Sequence, residues 1–164
     1  MTDLFGLPAH PFLVHLPVVL APLVLLLVIG MAVRPLWRRR YGWLLLGGCF
    51  VLVAGMILAT QSGEGLQEAL NGVVKVDKHA DLGNTTKNLS LLLFLGALVF
   101  VFVGRWVDGT ARRSAGAAAA VTPNWLLPVL GGVLSVLSAL VVVWTIRTGH
   151  EGARVVWDGV LPKK

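Results

Sequence analysis

Four long runs of apolar residues, at 12–33, 41–60, 89–107 and 125–146, are separated by shorter polar or basic stretches. Each is long enough to cross a hydrocarbon core, which takes about 20 helical residues. Lipid offers the backbone no hydrogen-bond partners, so a single run of this kind crosses as a helix. With polar flanks that continue some of the runs, helices are expected at 12–33, 41–60, 78–107 and 125–148. The pattern predicts an all-α polytopic membrane protein, one four-helix transmembrane domain covering 1–164. Pro17 and Pro22 fall inside the first run. Each removes a backbone donor and predicts a kink that neighbouring helices can absorb.

The polar stretches set an orientation. After the first run comes Arg34-Pro35-Leu36-Trp37-Arg38-Arg39-Arg40, read as a short loop with four arginines. Together with the stretch after the third run, that side carries seven basic residues against Asp108 alone, while the opposite side carries seven basic and seven acidic ones. The positive-inside rule therefore predicts these loops in the cytoplasm and both termini outside, in the periplasm of a bacterial cytoplasmic membrane. Trp37, Trp43, Trp106 and Trp125 would mark the inner interface and Trp144 the outer one.

Composition changes this picture little. Hydrophobic residues are 56%, charged residues 13% and mean hydropathy is +0.80, outside the range of soluble domains. The net charge of +6 is accounted for by topology and anionic lipid, so nucleic acid is not an expected partner. Cys49, the single cysteine, sits in an apolar run and reads as a packing residue; there is neither a disulfide framework nor a thiol metal motif. The N-terminus lacks the basic flank and cleavage site of a signal peptide, so the first run is expected to stay in the mature protein. Residues 115–120, rich in Ala and Gly, read as a flexible connector. Val155-Val156-Trp157 is expected on the bundle or at the interface. Ser90, Ser135, Ser138 and the pairs Gly47-Gly48 and Gly131-Gly132 read as helix-packing residues.

The candidate chemistry lies in the histidines. His10 and His15 flank the start of the first run, in His10-Pro11-Phe12-Leu13-Val14-His15-Leu16-Pro17. His79 precedes the third run and His150 follows the fourth, in Thr148-Gly149-His150-Glu151-Gly152. The predicted topology brings all four to the outer mouth of the bundle. His15, at the hydrocarbon boundary, is the most informative, because ionisable groups there are costly. The runs also hint at an internal repeat: the first and third each follow a histidine, and the second and fourth end in Ser62-Gly63-Glu64-Gly65 and Thr148 to Gly152. Glycine at these ends permits tight reversal or close approach to a bound group.

The motifs His10-Pro-x-x-Val14-His15-x-Pro17, Gly63-Glu64, His79-x-x-Leu82-Gly83 and Gly149-His150-x-Gly152 before Val155-Val156 are similar to those of the bacterial four-helix membrane proteins of domain of unknown function 2231. Relatives often show Gly-His-x-Gly-Gly, then an aromatic and a further His-Gly; here Ala153 and Asp158 stand at two of those positions. The resemblance implies a polytopic membrane protein. It also hints at redox chemistry, since some relatives occur beside c-type cytochrome domains.

Imidazoles from facing helices suit haem with two axial histidines, and without Cys-x-x-Cys-His that haem would be b-type. The expected site is His10, His15, His79 and His150, the expected role electron transfer as a carrier or binding protein rather than a stand-alone enzyme. The expected partners are the bilayer and a redox protein such as a periplasmic c-type cytochrome; a homo-oligomer is also compatible. A non-haem site for copper, zinc or iron would add Glu64 or Glu151 to the same histidines. His10 and His15 lie about 140° apart on an ideal helix, which disfavours chelation of one ion by both. The third alternative is a structural or pH-sensing membrane protein whose histidines carry no cofactor.

Overall fold

The computed structural model describes residues 3–4, 6–69, 76–113 and 123–157; the connector 115–120 and the tail from Asp158 onward lie outside the described residues. Two short strands, β1 (Asp3–Leu4) and β2 (Leu7–Pro8), pair antiparallel around Gly6, whose φ of 78° suits glycine. The helices α1 (His10–Leu13), α2 (His15–Val33), α3 (Pro35–Ala69), α4 (Asp77–Arg113) and α5 (Leu126–Trp157) follow. Four helical segments are long and apolar enough to cross a membrane: His10–Val33, Pro35–Ala69, Asp77–Thr110 and Leu126–Trp157. The chain is thus a four-helix multi-pass membrane protein.

Proline chemistry accounts for the two breaks near the start. Pro17 has no N–H to offer the carbonyl of Leu13, and α1 parts from α2 at Val14. Pro22, by contrast, stays inside α2. Arg34 precedes a proline, which disfavours helical backbone, and it is extended (φ −121°, ψ 101°). Pro35 then opens α3, where its fixed φ is already helical. The stretch read as an arginine loop is therefore a turn at Arg34, with Arg38, Arg39 and Arg40 on the first turns of α3. At the other end α3 runs straight through Gly63 and Gly65, because a helical glycine costs only about 1 kcal/mol relative to alanine. The sequence Val155-Val156-Trp157 ends α5 as helix.

The helices form a closed ring in which α2 and α4 each pack against both α3 and α5. Hairpins α2–α3 and α4–α5 are thereby related by an approximate two-fold along the bundle. Their buried positions repeat in register. On the first helix of each hairpin, Pro17, Ala21, Val24, Val28 and Met31 match Thr86, Ser90, Leu93, Ala97 and Phe100 at one constant interval. On the second, Gly42, Leu45, Cys49, Leu52 and Met56 match Gly131, Leu134, Ser138, Val141 and Thr145. Cys49 is fully buried and packs in the core. The outside is also apolar: Leu26, Phe50, Phe102, Val136 and Ile146 are all more than half exposed. Apolar side chains inside and out are the arrangement lipid requires.

At the arginine end Arg38 is unexpectedly buried, its side chain 9% exposed. Gly104 makes the space: a Cβ there would lie 2.6 Å from Arg38 Nε. Arg38 Nη2 reaches Asp108 at 3.4 Å, and Arg39 donates to both Asp108 oxygens at 2.8 and 2.9 Å. This ties the start of α3 to the end of α4.

Candidate functional site

At the opposite end of the bundle, two histidines meet. The rings of His10 on α1 and His79 on α4 lie 5.9 Å apart between centroids, at 89° to each other. Each is held in the same way by the second helix of its own hairpin. His10 Nδ1 lies 2.9 Å from the carbonyl of Ala59 on α3, and His79 Nδ1 lies 2.9 Å from the carbonyl of Thr148 on α5. A carbonyl oxygen only accepts, so Nδ1 is the donor in both rings. In the neutral imidazole Nε2 then carries the lone pair, the nitrogen left for a ligand or proton.

One turn beyond each accepting carbonyl stands a glycine that lets the ring lie against the helix. A Cβ on Gly63 would come within 3.0 Å of His10 Cε1 and 3.1 Å of Nδ1. On Gly152 it would come within 2.9 Å of His79 Cε1 and 3.1 Å of Nδ1. The internal repeat is therefore present in a register other than the one the local motifs suggest: Ala59 matches Thr148, and Gly63 matches Gly152. The match of Ser62-Gly63 with Thr148-Gly149 is local composition, without a counterpart in position.

The two halves differ just below the rings. Ser62 Oγ donates to Ala59 O at 2.9 Å and lies 3.3 Å from His10 Nδ1, so the Ala59 carbonyl accepts from both groups. In the second half, buried Thr86 donates to Leu82 O at 2.7 Å and sits 3.1 Å from the Thr148 hydroxyl, which in turn bonds to Trp144 O at 2.8 Å. Sequence reasoning singled out neither Ser62 nor Thr86 as part of the site. The available signal is spacing: Ala59 to Gly63 and Thr148 to Gly152 are both one helical turn, each facing a histidine that precedes an apolar run.

The other candidates make no contact with the two rings that the structure records. His15 is exposed, with Nδ1 2.6 Å from the carbonyl of Pro11 in the preceding turn. His150 is exposed on α5. It is two residues from both Thr148 and Gly152, about 200° around the helix from the face that meets His79. Glu64 is exposed on α3. Glu151 is paired with Lys78, with Arg154 a further 3.4 Å contact. Among the described residues no group of three or more His, Cys, Asp or Glu side chains is disposed to hold a metal ion. The geometry brings two imidazoles together, held by main-chain carbonyls.

No curated protein and no solved structure matches the chain. One family does, over residues 6–163 and so almost the whole length. The chain belongs to that family, described as predicted membrane protein (DUF2231).

Proposed function

We propose that this protein is a membrane electron carrier that holds one b-type haem between His10 and His79 at the mouth of the bundle. The paired Nδ1–H bonds to Ala59 and Thr148 carry this reading. Histidines that ligate metals characteristically donate their other N–H to a carbonyl or carboxylate, which fixes the tautomer and the ring orientation. The two rings lie 5.9 Å apart between centroids, so the pair that would hold the group already stands together at the mouth. Two imidazoles, His10 and His79, would suffice to hold a haem, whereas a non-haem ion commonly takes three or four protein ligands. Bound there, the haem supplies one-electron chemistry; the protein orients the imidazoles and seats them on Gly63 and Gly152. The donor or acceptor is a one-electron protein reaching this mouth, such as a periplasmic c-type cytochrome.

An absorption spectrum of the purified protein tests the reading. A Soret band that shifts on dithionite reduction is expected. It should disappear in His10→Ala and His79→Ala and persist in His15→Ala and His150→Ala. A colourless protein with stoichiometric metal would move the assignment to the non-haem alternative. A colourless, metal-free protein would reject both.

The same reading places the arginine end in the cytoplasm of a bacterial inner membrane and the histidine end outside, supported by the seven-to-one basic excess. In a Cys49→Ser background, a membrane-impermeant maleimide should label Gly149→Cys in intact cells. Leu36→Cys should label only after lysis. The reverse pattern would invert the protein and take the histidines to the cytoplasm.

A further inference from the structure

The arginine end carries an imbalance that the ion pairs do not absorb. Asp108 is the single acid there and is bonded to Arg38 and Arg39. Arg34 and Arg40 have no acidic partner among the described residues. Each lies over an aromatic ring instead, Arg34 5.5 Å from the centroid of Trp37 and Arg40 5.6 Å from that of Tyr41. These four side chains line one shallow recess with Val33 and Leu36. The two aliphatic residues are 72% and 75% exposed, so the recess is open on an apolar side.

We propose that this recess binds the headgroup of an anionic phospholipid, a site independent of the redox reading. The ligand chemistry follows from the lining. Guanidinium forks bond phosphate oxygens in pairs, and stacking on Trp37 and Tyr41 restricts their orientation. Indole and phenol rings sit well at the level of lipid headgroups, and Val33 and Leu36 flank the path of an acyl chain. Two cations without an acid favour a net negative headgroup, because the cation of a zwitterionic one would be repelled. The apolar half of the lining favours a lipid over free phosphate.

The test is native mass spectrometry of the delipidated protein in detergent, titrated separately with phosphatidylglycerol, phosphatidylcholine and inorganic phosphate. One phosphatidylglycerol should bind, with inorganic phosphate unable to displace it at equal concentration. Each arginine near a membrane surface contributes enough for roughly a fivefold change in affinity. Arg34→Gln should therefore weaken binding about fivefold and Arg34→Gln/Arg40→Gln about thirtyfold. Arg147→Gln, at the other end, should leave it unchanged. Circular dichroism establishes that each variant is folded, and the exposed single variant Arg34→Gln carries the test if the double one is not. Equal uptake of phosphatidylcholine, full retention in a folded Arg34→Gln variant, or displacement by inorganic phosphate would each overturn the site.

Discussion

Gly152→Val should loosen the histidine end, whereas Gly149→Val, three residues earlier on the same helix, should leave it intact. Both substitutions make the same chemical change in α5. At Gly149 an added Cβ meets nothing within 4 Å; at Gly152 it falls 2.9 Å from His79 Cε1 and 3.1 Å from Nδ1. The His79 ring cannot yield without lengthening its 2.9 Å bond to Thr148 O. Overpacking a built site costs about 1–3 kcal/mol, and a half-buried donor left without its acceptor adds a similar amount. A combined loss of about 2–6 kcal/mol is expected. Denaturant titration in micelles measures it, and the imidazole resonances of His79 report the displacement directly. Gly63→Val should do the same to His10, because the second hairpin repeats the contact of the first. If Gly152→Val and Gly149→Val proved equally stable, with His79 unmoved, the seat assigned to Gly152 would be wrong.

At the other end, Asp108→Ala should destabilise the protein by about 3 kcal/mol, because it strands a buried guanidinium. Arg38 is 9% exposed at the side chain and Asp108 16%, and the arginine fills the space that a Cβ at position 104 would otherwise occupy. Arg39→Gln should cost far less than Asp108→Ala, since Arg39 is 44% exposed and solvent screens its pair. The double variant Arg38→Met/Asp108→Ala should recover most of the loss by removing the stranded charge along with its partner. Unfolding in mixed micelles, read by tryptophan fluorescence, gives all three values. Recovery absent from the double variant would show that Asp108 acts through something other than Arg38.

Several features of this protein follow from its one-dimensional pattern. Lipid leaves an apolar run of membrane length little choice but to be a helix, so four runs mean four crossings. Alternation of direction then sends His10, His79 and His150 to one end and the arginine cluster to the other. Local chemistry also settles the break before His15 and the restart at Pro35, although the same signal reads equally well as a loop until the helix beyond it is seen. Helical phase, too, is sequence information: it separates His15 from His10 and His150 from Thr148.

What no local pattern carries is which side chains meet across the bundle. His10 finds Ala59 and Gly63, and His79 finds Thr148 and Gly152, only because each hairpin closes on itself and the two hairpins close on each other. The register of the repeat is decided there as well, since burial, rather than the resemblance of Ser62-Gly63 to Thr148-Gly149, aligns the halves. Arg38 is buried for the same reason: a glycine distant in sequence leaves room for it. Hydrophobicity specifies how often a chain crosses the membrane, but contacts between helices depend on side-chain shapes that come together only once the helices are packed.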